Sequence, residues 1–154
     1  MALYSVAMLN VSLAAAQDLW HLKAGATRPI IIHSVELNQK TLLTVDHREI
    51  RMKRHTVTVT QGSGGTTPTP TPLAPGSAAS GITAHMNDTT QASAGTLVDL
   101  YNSVWNFLNG FLWVPAPEDR PVIDPATGFI VALNTAPGSA IVSSGAIVYE
   151  EIGA

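Results

Sequence analysis

Apolar and polar positions alternate along this chain in short runs, each closed by Gly, Pro or Asn. Alternation with period two places one set of side chains on each face of a strand, so the pattern predicts β-structure. Tyr4-Ser5-Val6-Ala7-Met8 alternates weakly. Pro29 to Leu37 is rich in β-branched residues and places Ile31, His33, Val35 and Leu37 on one face. Thr56 to Thr60 alternates cleanly, with Val57 and Val59 inward. Gly128 to Leu133 groups Phe129, Val131 and Leu133, and Ala140 to Ile152 gives a last strand or pair of strands with a bulge at Gly145.

Helix signals are sparse. Ala14, Ala15 and Ala16 favour a short helix over Leu13 to Lys23. Leu97, Tyr101 and Trp105 have helical spacing, yet Asn109-Gly110 between Phe107-Leu108 and Phe111-Leu112 is a hairpin signal. Two strands are therefore expected there. Many short strands with Gly, Pro and Asn turns predict an all-β protein. The expected fold is a single antiparallel β-sandwich over residues 1–154, jelly-roll-like. A Gly/Thr/Pro-rich extended loop or edge strand interrupts it.

That interruption is Gln61 to Ser80, QGSGGTTPTPTPLAPGSAAS. Its composition suits a flexible linker. The Thr-Pro repeat offers a sharper reading. In an extended strand Pro68, Pro70 and Pro72 lack their N–H on the same side, while Thr67, Thr69 and Thr71 keep theirs on the other. Such a segment pairs on one edge and is blocked on the other.

Composition narrows the function. Charged residues make up 12% of 154 and mean hydropathy is +0.20. Low charge with 45% apolar content suggests a surface covered by partner subunits. There is no Cys, so disulfides, thiol nucleophiles and cysteine metal sites are excluded. Net charge is −3, too mild for a nucleic-acid binder. No run of 18 apolar residues suggests a membrane span, and no Lys or Arg before Lys23 supports a signal peptide. Arg48, Arg51, Lys53 and Arg54 cluster in a segment that, as a strand, puts His47, Glu49, Arg51, Lys53 and His55 on one face and Ile50 and Met52 in the core. It reads either as a solvated face or as a docking stripe for an acidic neighbour. Tyr101, Trp105, Phe107, Phe111 and Trp113 form an aromatic cluster in a charge-free stretch, suited to core or interface.

Catalytic and metal motifs are not evident. His21, His33, His47, His55 and His85 form no ligand motif, and a metal site or cofactor is not expected. His33 reads as a satisfied core or interface group. Asp88, Asp99, Glu118, Asp119 and Asp124 read as solvated turn carboxylates. No Gly-x-Ser-x-Gly elbow or phosphate loop appears.

The string Gly-Ser-Gly-Gly-Thr-Thr-Pro-Thr-Pro-Thr-Pro-Leu-Ala-Pro-Gly at 62–76 and Asn-Asp-Thr-Thr-Gln at 87–91 resembles a family of small phage and prophage proteins. Trp113-x-Pro-x-Pro-Glu-x-Arg and the ending Tyr149-Glu-Glu-Ile agree with it. The likeness covers nearly the whole chain and is similar in kind to β-sandwich decoration or cement proteins of phage capsids. It implies a non-enzymatic virion protein made in the host cytoplasm, placed on the capsid surface as a homo-oligomer, often a trimer. The major capsid protein or another virion protein is the implied partner. Arg48, Arg51, Lys53, Arg54, Thr67, Thr69, Thr71, Trp105 and Trp113 are the candidate assembly contacts. A tail or head–tail connector part, or a receptor- or carbohydrate-binding sandwich, is the alternative.

Overall fold

The computed structural model describes residues 2–40, 46–56 and 58–153. Strands β1 (Ala2–Leu13), β2 (Gln17–Lys23), β3 (Ile30–Gln39) and β4 (His47–His55) come first. A long irregular stretch then carries β5 (Thr71–Pro72) and β6 (Thr83–Asp88). β7 (Leu97–Asn106), β8 (Phe111–Trp113), a 3-10 turn at Pro117–Asp119, β9 (Val122–Ile123), β10 (Gly128–Leu133) and β11 (Ile141–Glu151) follow. No helix among the described residues is long and apolar enough to cross a membrane.

The strands form two antiparallel sheets. One has the order β5-β1-β11-β3-β8, with β9 also paired to β3; the other is β6-β2-β10-β4-β7. Four pairings nest inside one another: β1 with β11, β2 with β10, β3 with β8, and β4 with β7. Successive pairs belong alternately to the two sheets, so the chain behaves as one long hairpin folded into two layers. The apolar positions explain the layering. Tyr4, Val6 and Met8 of β1, Trp20 and Leu22 of β2, Ile50 and Met52 of β4, Phe129, Val131 and Leu133 of β10, and Ile147 and Tyr149 of β11 are all buried in a single cluster. The architecture is all-β and β-sandwich-like.

Several expectations are corrected. The segment expected to be helical, Leu13 to Lys23, contains β2, because Trp20 pairs with Val131 and Leu22 with Phe129 in the core. Helix propensity in three alanines is outweighed by that packing. In β3 the buried residues are Ile30, Ile32, Val35 and Leu37. The pairing with β11 shifts between Val148–Ser34 and Tyr149–Ile32, so His33 is an extra residue and the faces exchange there. Ile31 and His33 therefore do not share a face with Val35 and Leu37. The Ala140–Ile152 region is one strand, and the irregularity lies opposite it, at Leu9 and Asn10 of β1, where Asn10 has φ 53°. Asn109-Gly110 does form a turn, with Gly110 at φ 69°, but it carries the chain from β7 in one sheet to β8 in the other rather than closing a hairpin. Thr56 to Thr60 forms no strand, apart from an isolated bridge at Thr60; Val57 lies outside the described residues.

Ile147 sits at the centre of the core and is fully buried, whereas Leu9 is 75% exposed. Ile147→Ala is expected to destabilise the fold by about 2–5 kcal/mol, and Leu9→Ala by less than about 0.5 kcal/mol. Urea unfolding of both variants, with unchanged slope, checks this.

Candidate functional site

The outer face of the second sheet carries a cluster of ionisable residues. Cross-strand register lines up His85, His21, Ile130, Lys53 and Asp99 on one rung, and Asp88, Asp18, Ala132, Arg51 and Asn102 on the next. Ile50 and Met52 of β4 face the core as the alternation requires. The basic residues are largely engaged within the chain. Arg51 pairs with Glu49 at 2.9 Å and with Asp99 at 3.4 Å, and the Glu49 contact holds its guanidinium in the charged form. Arg48 pairs with Asp46 at 2.7 Å and donates to the Ala136 carbonyl. Lys53 is half-buried and Arg54 is exposed. A groove of ≈ 210 Å³ opens beside Arg54, with His55, Val98, Val122 and Asp124 in its walls. That is below the usual size of a ligand pocket.

His21 and His55 meet edge to face with their Nε2 atoms 2.6 Å apart, both rings buried. They stand on β2 and β4, with β10 between them. His55 reaches across at Gly128, where a Cβ would overlap its Nε2, so only glycine leaves the passage open. His55 Nδ1 donates to the Thr56 carbonyl at 2.6 Å. Its Nε2 is then the acceptor and His21 Nε2 the donor, which assigns both tautomers as neutral. His21 Nδ1 has no partner among the described residues. Burial, with smaller contributions from His55, His85 and Lys23, lowers the His21 pKa to about 3; burial lowers that of His55 as well.

Asp18 and Asp88, directly opposite on β2 and β6, are also buried. Asp18 accepts from Ala92 N at 2.7 Å, yet burial pushes its pKa up to about 6. Asp88 accepts from Gly65 N at 3.2 Å, and its other oxygen lies 3.8 Å from His85 Nδ1. Asp88 is thus no solvated turn carboxylate. Asp88 anchors the stretch after β4 to the sheet through Gly65, and Asp18 anchors the stretch after β6 through Ala92. The stretch after β4 pairs antiparallel with β6 and the residues following it through bridges at Thr60–Ser93, Ser63–Thr90 and Thr66–Met86. A Cβ at Gly65 would overlap the Met86 carbonyl, which explains a glycine at that close approach.

The Thr-Pro segment then crosses to the other sheet. Thr71 and Pro72 pair with Ser5 and Tyr4, and Leu73 N donates to Leu3 O at 2.9 Å. Thr67 and Thr69 lie outside any strand; Thr67, Thr69 and Thr71 are all exposed, while Pro68, Pro70 and Pro72 are half-buried. Beyond it, Ser80 Oγ bridges the Tyr149 hydroxyl (2.7 Å) and Glu151 (2.9 Å), and Glu151 pairs with Arg28 at 3.3 Å. Burial raises the pKa of Tyr149, and the cluster ties Ser80 to the end of β11.

Trp105 is fully buried, edge to face with Phe107 at 4.6 Å, so it belongs to the core and is withdrawn as an assembly contact. Trp113 is half-buried and lies 5.8 Å from Tyr101 across the gap between the sheets. On the β7–β8 side, Leu100, Val104 at 61%, Leu108, Leu112 at 70% and Val114 are exposed and make an interrupted apolar belt, with Val104 opposite Glu49 on the outer face of one sheet and Leu112 opposite Glu36 on that of the other. No charged residue occurs between Asp99 and Glu118.

Comparison with protein families, curated proteins and solved structures finds no match to this chain. Among the described residues, no group of three or more His, Asp or Glu is placed to hold a metal ion. His33 is half-buried and pairs with Glu150 at 3.0 Å. The histidine pair and the buried acids were invisible to motif reasoning because their partners are 34 and 70 positions apart. The one available sequence signal was Gly128 beginning an otherwise apolar strand.

The histidine pair sets a pH dependence. With folded pKa values below the unfolded 6.5, both histidines leave stability intact above pH 6.5 and reduce it as pH falls below that, His21 until about pH 3. Asp18 acts oppositely: its raised pKa gives a stabilisation complete below 3.8 and lost as pH rises through about 6. Two histidines against one acid leave a net loss on acidification. Thermal melts from neutral pH down to about pH 4 should show a falling Tm, and His21→Gln should flatten that slope. Equal slopes for both proteins would contradict the buried neutral pair.

Proposed function

We propose that this chain is a jelly-roll structural subunit of a tailed-phage virion. It acts as a capsid decoration or cement protein, through assembly rather than through chemistry. The observation that carries the reading is the belt of exposed apolar side chains on β7 and β8, two strands that hold a single charge, Asp99, between them. Fully burying an exposed Val or Leu is worth about 1.5–3 kcal/mol, so a few such residues give a surface a real affinity for a partner. Exposed ion pairs contribute much less, and Arg48 and Arg51 already have partners in their own chain. The belt, rather than the basic strand, is therefore the main assembly surface.

The strand order supports the jelly-roll reading. Nested pairs β1–β11, β2–β10, β3–β8 and β4–β7, alternating between two sheets, are what rolling a four-pair hairpin produces. Viral capsid proteins and lectins both use this architecture, so topology alone favours neither. The resemblance of residues 62–76, 87–91 and 113–120 to small phage proteins supports the virion side. The partner is then the major capsid protein, and the mechanism is buried area repeated across a lattice, where multivalency multiplies a modest contact.

Particles induced from the strain that carries the gene test this directly. Mass spectrometry of purified heads and tails, separated before digestion, should find the protein on heads. Its presence on tails alone would favour the connector or tail reading, and its absence from all particles would overturn the proposal.

A further inference from the structure

Two sheets have four edges, and three of them are closed. The β5 edge is two residues long, and Pro72 within it and Pro70 just before it have no N–H. The β8 edge is three residues long, and β9 beside it two, with Pro115 and Pro121 adjoining them. The β6 edge is occupied by the chain itself: Thr66 and Met86 exchange both backbone bonds at 2.9 Å, and Ser63 and Thr90 do so at 3.0 Å. β7 differs. It runs ten residues, from Leu97 to Asn106, and among the described residues no backbone pairs on the side away from β4.

Open edges of this length are normally blunted by charges or proline. β7 has no proline, and its one charge, Asp99, is held by Arg51. Its only irregularity is an extra residue at Leu100, where the pairing steps from Met52–Tyr101 to Lys53–Asp99. Val98, Leu100, Tyr101 and Val104 are exposed along it. The strand thus offers unpaired backbone groups flanked by apolar side chains.

We propose that β7 is the seam of a two-fold homodimer, in which the free edges of two copies pair antiparallel and join their five-stranded sheets into one. The charge pattern suits a second copy as the occupant. A two-fold axis near Tyr101 or Asn102 sets Asp99 of each copy opposite Ser103 or Trp105 of the other, so no like charges meet. Because the other described edges are closed, a copy has only β7 to offer, and the contact must be isologous, closing at two. A trimer joined edge to edge would need a second open edge of comparable length, which the described residues do not provide. This inference deepens the assembly reading above and rests on it only in taking self-association as part of the chain's role.

The full chain, free of Cys, suits a cross-linking test. Light scattering should give twice the chain mass of 16.2 kDa at micromolar concentration. Val104→Lys, which places two ammonium groups against the seam, should weaken the dimer by roughly tenfold or more while leaving the circular dichroism unchanged. Asn102→Cys should form a disulfide-linked dimer on mild oxidation, and Leu9→Cys, equally open but on the other sheet, should not. A strict monomer overturns the seam. So does an oligomer that withstands Val104→Lys and in which Asn102→Cys cross-links no better than Leu9→Cys; that second outcome leaves the assembly reading standing. Should Val104→Lys fail to fold, the cysteine pair decides alone. Particles lacking the protein would instead remove the virion reading and leave the seam untouched.

Discussion

Every open sheet must place the backbone donors and acceptors of its outermost strands, and this requirement organises the whole molecule. Nested pairing satisfies the interior strands first. β11 lies between β1 and β3, and β10 lies between β2 and β4, so the two strands formed last in the chain complete sheets begun by the first four. Their backbone is paired on both sides, and their inward side chains close the core. The irregular middle of the chain then serves the edges. Residues 60–66 cover the β6 side, and Thr71–Pro72 caps β1. What looks in composition like a linker is the part that shuts two edges of the sandwich.

Covering the β6 edge has electrostatic consequences. The loop bonds of Gly65 and Ala92 fall on Asp88 and Asp18, and both acids, like His21 beside them, are buried. Once buried, the groups relieve their charge by different means. The histidines share one hydrogen bond in neutral form, which requires a glycine on the strand between them. Asp18 keeps a backbone donor yet takes up a proton more readily than a solvated acid. The cluster ties covering loops to a sheet face, and the acid sensitivity expected of it follows from burial.

Strands with a grouped apolar face were legible in the sequence: Tyr4, Val6 and Met8, though their alternation is weak, and Phe129, Val131 and Leu133 all lie inward. Alternation alone was not enough, since Thr56 to Thr60 alternates most cleanly and forms no strand. The basic segment was also legible as a strand with Ile50 and Met52 inside. Less legible was anything decided by one residue of register. The extra residue at His33 exchanges the faces of β3, and composition carries no mark of it. The helix expected before Lys23 rested on local propensity, whereas β2 exists because of strands far away in the chain. Asn109-Gly110 announced a turn but not which sheet the next strand would join. Of the candidate contacts, Trp105 was as apolar and uncharged as the true surface beside it, so only the fold could separate core from belt.

The central claim is that one edge remains open by design, and that β7 is where this chain meets its own copy. Amide hydrogen exchange along Leu97–Asn106, followed at low and high protein concentration, measures this most directly. The amides of β7 that do not pair with β4 should exchange quickly in dilute solution and become protected as concentration rises, while those of β6 stay unchanged. Rapid exchange of the same β7 amides at every concentration would contradict the account.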